Sequence, residues 1–297
     1  MNLHIHLAPQ REQRHVFMLQ QRQLLIMGHR LILATLSKHT TAHQHRHHIM
    51  LLFNRIQSFA HGKLVKQSID HIGMGAAELS IAWCRTPDDI MRLVQACEGW
   101  EHIEAAQARG EGLLLVTPHL GNYDIAGRYV SQRLSCPLTA MYRPPKLAWL
   151  EPVMNQGRVR DKGKTAPATP AGVRQIMKAL RAGEATVILP DQVPSQGDGV
   201  WAPFFGRPAY TMTLVPRLAT MKGVTTLFFY GHRLPKGEGF IIKIRPLQTP
   251  FTGDKEHDVA LMNQMVESVI CEAPEQYLWS YNRYKKPAGV QPPSSAC

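Results

Sequence analysis

Acidic residues are scarce in this chain: 22 Asp and Glu stand against 34 Lys and Arg over 297 residues, a formal net charge of +12. Such an excess favours an anionic partner, whether nucleic acid, an acidic lipid surface or an acidic carrier protein. The basic residues are spread over the whole chain, and no helix-turn-helix or aromatic-basic motif accompanies them, so a nucleic-acid partner is not expected. Paired cysteines are missing too. Cys84, Cys97, Cys136, Cys271 and Cys297 are scattered and odd in number, with no C-x-x-C. That argues against a disulfide framework and a cysteine zinc site, and for free thiols in a reducing compartment. No metal site is expected elsewhere, because the histidine tract HTTAHQHRHH (His39 to His48) lacks fixed ligand spacing. Long apolar runs are also absent: no window reaches the ~18 residues of a membrane span. The opening MNLHIHLAPQREQR lacks the apolar core and cleavage site of a secretory signal. Phe17 to Leu36, interrupted by Gln20, Gln21, Arg22, Gln23, His29 and Arg30, reads as an amphipathic helix lying on a membrane surface or packed on the domain.

Hydrophobic residues make up 44% and charged residues 19%, the balance of a globular protein. Residues 1–50 are a basic, His/Gln-rich segment, flexible or at a membrane surface, and residues 51–297 form the folded domain. Helices are expected over Ile69 to Trp83, from the turn at Thr86-Pro87 onward, and over His102 to Ala108. Further helices follow over Asp124 to Leu134, Leu147 to Asn155, Pro170 to Ala182, Thr211 to Thr220 and Asp258 to Cys271. Short apolar runs at Leu113 to Thr117, Leu138 to Tyr142, Ala185 to Leu189 and Val224 to Tyr230 have the texture of buried strands. Phe240 to Arg245 returns through a Pro-Lys-Gly turn and is expected to run antiparallel. Strands alternating with helices predict a single α/β domain, a mainly parallel central sheet flanked by helices.

The stretch LLLVTPHLGNYD, Leu113 to Asp124, joins an apolar run to an ionisable pair. Residues five apart on a helix differ by roughly 140° and share no face. His119 and Asp124 can therefore cooperate only if His119 sits in the loop after the strand and Asp124 in the first helical turn. Pro118 ends the strand, Gly121 permits a tight bend and Asn122 is a good N-cap. The Asp124 carboxylate would then accept a bond from one imidazole nitrogen and leave the other free to take a proton from a substrate hydroxyl. The plain alternative is a histidine at a strand end and an acid favouring the helix dipole.

Three further stretches stand in order behind it: AMYRPPKLAWLEPVMNQGR (Ala140 to Arg158), ILPDQVPSQGDGVWAPFFGRPAYTMTLVPRLA (Ile188 to Ala219) and EQYLWSYNRYKK (Glu275 to Lys286). With HLGNYD, this series resembles the late acyltransferases of lipid A biosynthesis, the lauroyl and myristoyl transferases, within the glycerolipid and lysophospholipid acyltransferase superfamily. The resemblance covers roughly residues 70 to 287. It implies that a fatty acyl chain moves from a thioester, usually of acyl carrier protein and otherwise of coenzyme A, to a hydroxyl of an anionic glycolipid, with no cofactor. His119 would be the general base and Asp124 its orienting acid. The other implied contacts are Gly121 and Asn122 in the loop, Arg143 for phosphate or oxyanion, Arg158 for substrate, and Asp191 and Gln192. Asp191 could bind sugar hydroxyls or pair with Arg143 or Arg158; its loop and that of His119 should open on one edge of the sheet. Phe205 and Arg207 suit an acyl chain beside a charged headgroup, and Tyr281 to Lys286 form a basic aromatic tail for phosphate or a membrane interface. The chain departs from the lipid A branch in having Asp124 where glutamate is common. It also carries the basic first fifty residues in place of a hydrophobic anchor, so a peripheral position on the cytoplasmic face of a bacterial inner membrane is implied. Another acceptor, such as a lysophospholipid or an ornithine lipid, is compatible with the same motifs.

Overall fold

Residues 43–143, 150–159 and 162–293 are described by the structure, a computed structural model. Expectations for residues 1–42 fall outside them, as do residues 147–149 of the predicted Leu147 to Asn155 helix. In chain order the elements are α1 (His43–Cys84), α2 (Pro87–Leu93), β1 (Val94–Glu98), α3 (Trp100–Ala108), β2 (Gly112–Val116), α4 (Tyr123–Arg133) and β3 (Leu138–Tyr142). Then come α5 (Leu150–Arg158), β4 (Gly163–Pro167), α6 (Pro170–Arg181), β5 (Ala185–Ile188), β6 (Gly199–Phe204), β7 (Arg207–Met212) and α7 (Leu214–Ala219). The chain continues with β8 (Val224–Arg233), β9 (Phe240–Pro246) and α8 (Lys255–Glu272). Helix α1 runs unbroken past residue 51, the expected start of the folded domain.

Seven strands form one sheet in the order β1-β9-β8-β2-β5-β3-β4. Every pairing is parallel except β8 with β9, whose short connection leaves only a hairpin return. Strand β2 is buried along its whole length, which is why its sequence is apolar without alternation. Its side chains nonetheless alternate in direction. Leu114 and Val116 join a core with α6, α7 and α8, while Leu113 and Leu115 join a second core with α2, α3 and α4. The sheet is thus covered on both faces, the α/β arrangement expected from the alternation of elements.

The helix starts have local causes. Thr86 and Asp89 form a reciprocal capping box on α2, Asn122 accepts from the Ile125 N–H at the start of α4, and Thr169 accepts from Gly172 on α6. The expected helix from Thr211 begins only at Leu214. Residues 207–212 instead pair antiparallel with β6, which buries Ala209 in the core that Phe204 shares with α8 and sets Tyr210 against Trp201.

Candidate active site

Strands β2 and β5 are parallel neighbours with Val116 opposite Ile188. Three residues beyond each of these lie His119 and Asp191, so the two loops bring them to one level at the carboxyl edge of the sheet, where open α/β folds place their sites. The Asp191 carboxylate accepts twice from one residue: from the His119 backbone N–H at 2.8 Å and from Nδ1 at 2.7 Å. Asp191 is almost fully buried, 3% exposed. Burial alone pushes its carboxyl up, but the charge and hydrogen bonds of His119 outweigh it and hold the pKa below the ordinary value. With Nδ1–H donated to Asp191, the lone pair sits on Nε2, where the Gln192 amide nitrogen lies 3.3 Å away.

The loop is supported from behind by the segment that follows α8. The Gly121 N–H donates to Gln276 O at 3.0 Å and the Leu278 N–H to His119 O at 2.9 Å, bracketing the histidine. Gly121 has φ +60°, and a Cβ there would lie 1.9 Å from the Gly231 carbonyl oxygen, so the close approach demands glycine. The Asn122 amide donates to Glu78, whose two oxygens receive Arg233 Nε and Nη2 at 2.6 and 2.7 Å. Through this fork α1 grips the loop. Gly121 and Asn122 thus shape the loop and do not line the cavity described below.

At its centre the expected basic aromatic tail, Tyr281 to Lys286, turns inward and offers no cation to a phosphate or a membrane interface. Arg283 is 1% exposed and donates to Tyr210 O at 2.9 Å and Thr211 Oγ1 at 2.6 Å, under the ring of Phe204. Burial lowers its pKa. Tyr281 accepts from the Val193 N–H at 2.9 Å, fixing the loop that carries Asp191. Tyr284 donates to Phe204 O at 2.8 Å. The segment is an internal strut. Replacing Arg283 with Met keeps the packing volume and strands its acceptors; unfolding free energy should fall by about 1–3 kcal/mol in a denaturant titration, with the acceptor KM unmoved.

The expected bond between His119 and Asp124 is replaced by a different pairing. Asp124 accepts from Arg158 Nε at 2.8 Å and Nη2 at 3.1 Å, while the carboxylate on His119 is that of Asp191. Asp191 accordingly pairs with neither Arg143 nor Arg158. The reason is the sheet: the parallel β2–β5 register sets His119 beside the β5 loop, whereas α4 points Asp124 toward α5.

These groups open on a cavity of ≈ 660 Å³. His119, Gln192, Arg143 and Arg158 line it, as do Tyr123, Arg174 and Arg217, which the sequence reading did not single out. Nothing in the sequence marks Arg174, an exposed residue on a helix; Tyr123 lies inside the HLGNYD stretch itself. Much of the remaining wall is apolar, including Met141, Met154, Val173, Met177 and Leu214, and among the described residues Asp198 is its one carboxylate. Four arginines against one acid give the cavity positive charge beside hydrocarbon. Phe205 and Arg207 are not brought to it. Phe205 is buried against Phe204 and Trp279 with its N–H on Glu267, and Arg207 lies over the Tyr284 ring at 4.3 Å. Among the described residues no cluster of three or more His, Cys, Asp or Glu could hold a metal ion, and no helix is long and apolar enough to cross a membrane.

A sequence model described as bacterial lipid A biosynthesis acyltransferase matches residues 25–286. Over 246 residues the chain is 32% identical to the lipid A biosynthesis lauroyltransferase of Escherichia coli K12, covering 81% of this chain and 78% of that protein. It is 29% identical to the palmitoleoyltransferase of the same strain, covering 82% and 79%, and 26% identical to its myristoyltransferase, covering 73% and 66%.

Proposed function

The chain belongs to the bacterial lipid A biosynthesis acyltransferase family, and on that premise we propose that it moves an acyl group from a thioester to a hydroxyl of a lipid A precursor, with His119 as the general base. The observation that carries this is the Asp191 clamp on Nδ1, which leaves Nε2 toward a cavity lined by arginines and by hydrocarbon. Nε2 takes the proton of the acceptor hydroxyl as its oxygen bonds to the thioester carbon. The carbonyl oxygen becomes the tetrahedral oxyanion. When it reforms the carbonyl, the carbon–sulfur bond breaks and the thiolate recovers the proton from the imidazolium. No covalent acyl-enzyme and no cofactor are needed, because the thioester is already activated.

Donors for the oxyanion stand nearby. Arg158 uses two of its five N–H groups on Asp124 and keeps three. Burial, then the Asp124 charge, pushes the Tyr123 phenol well up, so it remains a proton donor at any physiological pH. Its ring packs edge-on to His119 at 5.0 Å between centroids. The donor is acyl carrier protein, an acidic thioester carrier matched to a +12 chain. An acceptor bearing acyl chains resides in a bilayer, so the enzyme works at the surface of the inner membrane on the cytoplasmic side.

Arg174 and Arg217 stand at the cavity's exposed side and meet the acceptor's phosphates. Replacing either with Ala should raise the acceptor KM by about tenfold with kcat nearly unchanged, since an exposed charged hydrogen bond contributes about 1.5 kcal/mol at most to ground and transition states alike. Steady-state kinetics over acceptor concentration check this. The function itself is tested by incubating the purified protein with acyl carrier protein thioesters and a lipid A precursor. Mass spectrometry should show the precursor gaining one acyl group while thiol is released. Gain only on a lysophospholipid or ornithine lipid would replace the acceptor; thiol release without gain on any lipid would overturn the proposal.

A further inference from the structure

Beside the main cavity a smaller hollow of ≈ 60 Å³ opens along α4, and the two share Tyr123, Arg158 and Leu189 in their walls. Tyr123, Gly127 and Ser131 line the hollow and recur every fourth residue, so they stack on one face of α4. The hollow therefore follows the helix for about 12 Å from the cavity. Leu138 and Ala140 of β3 and Val187 of β5 close the opposite side. Charged residues border it, yet their ionic ends are engaged elsewhere. Asp124 and Arg158 hold each other, Arg128 donates to the carbonyls of Ala82 and Arg85, and Lys164 reaches Glu184. What remains toward the hollow is largely hydrocarbon. In the wall of the hollow, the Ser131 hydroxyl has no hydrogen-bond partner among the described residues.

Gly127 is the informative wall. A glycine inside a helix costs about 0.5–1 kcal/mol relative to alanine. Here neither backbone nor packing requires it: its φ is an ordinary one, and a Cβ would meet nothing within 4 Å. The only thing an added methyl would take is space in the hollow. We infer that this hollow receives the methyl end of a substrate alkyl chain, and that Gly127 keeps open the room for its last methylenes. The inference rests on the acyl-transfer function proposed above and adds to it a determinant of chain length.

One methylene gained or lost in an apolar pocket changes kcat/KM by about 10–200-fold. The test uses the full chain, Gly127→Ala and, from the facing wall, Ala140→Val. Each is given acyl carrier protein thioesters of stepwise increasing length with a fixed acceptor, then acceptors of stepwise shortened chains with a fixed donor. Both variants should shift the ratio of kcat/KM for long over short chains toward the short by at least about tenfold. They should keep nearly full activity on the short substrate, and Gly127→Ala should melt no lower than the wild type. A shift in the first series assigns the hollow to the donor's chain, in the second to the acceptor's. Either outcome supports the inference. Activity changed equally at every length in both series, or not at all, overturns it, as would a hollow that serves only to hold water. Failure of the wild type to transfer any chain defeats the parent function instead, and the inference falls with it.

Discussion

Replacing Asp191 with Asn lowers kcat by about 10³–10⁴-fold, as far as replacing His119 with Ala does, because the carboxylate decides which imidazole nitrogen is free. Asp191 can only accept, so Nδ1 carries the proton and, in the neutral imidazole, Nε2 carries the lone pair. An asparagine amide can turn its NH2 group toward Nδ1, which stabilises the other tautomer and puts a proton on the atom that should receive one. The imidazolium formed during transfer also loses its counter-charge. Substrate affinity does not depend on either effect, so KM should change little. The double variant should be no slower than His119→Ala alone, since the two residues act as one unit. An Asp191→Asn enzyme keeping more than a tenth of wild-type kcat would show that the clamp is not used. The same carboxyl gives a stability signature. Its folded pKa lies below the ordinary 3.8, so its contribution is present above that pH and is lost as the pH falls through the folded value. Acid unfolding below about pH 4 should therefore be shallower in Asp191→Asn than in the wild type.

Much of this site was legible along the chain, but not its pairing. The runs Leu113 to Val116 and Ala185 to Ile188 announce themselves because strands buried on both faces tolerate only apolar residues. Asn122 announces the start of α4, and Pro118 with Gly121 the turn that leaves His119 at a strand's end. That two loops open on one edge follows from parallel strands. That β5 is the immediate neighbour of β2 does not, and this adjacency gives His119 to Asp191 and frees Asp124 for Arg158. Strands β1 and β4 escaped notice because both are sheet edges, short and partly polar, and their extended shape comes from pairing on one side. The tail from Tyr281 misled in the other direction. Its cations suggest phosphate or a membrane interface, yet Arg283 is buried because Tyr210, Thr211 and the face of Phe204 receive it, partners that lie more than seventy residues away in the chain.

Separating Asp124 from Arg158 should cost both folding and turnover, and the two costs can be told apart. Each is largely buried, with side chains 7% and 20% exposed, and the charge of Asp124 outweighs burial to hold the Arg158 guanidinium protonated. Removing one partner leaves a buried charge without its counter-ion, at about 3–5 kcal/mol of stability. Arg158→Met and Asp124→Asn should therefore each lower the melting temperature. Each should also lower kcat by about 10²–10³-fold, through loss of Arg158 or loss of its aim at the oxyanion. In the combined variant an apolar side chain meets a neutral amide, and most of the lost stability should return, since exchanging both members of a buried pair is often close to neutral. Turnover should not return; it should equal that of Arg158→Met alone. This is the behaviour of a positioning residue, an Asp124 that acts only through the arginine it holds. Were Asp124 instead to act on His119 directly, the two losses in kcat would multiply. A double variant about 10²-fold slower than Arg158→Met would then restore the histidine–aspartate pair that the spacing of HLGNYD first implied.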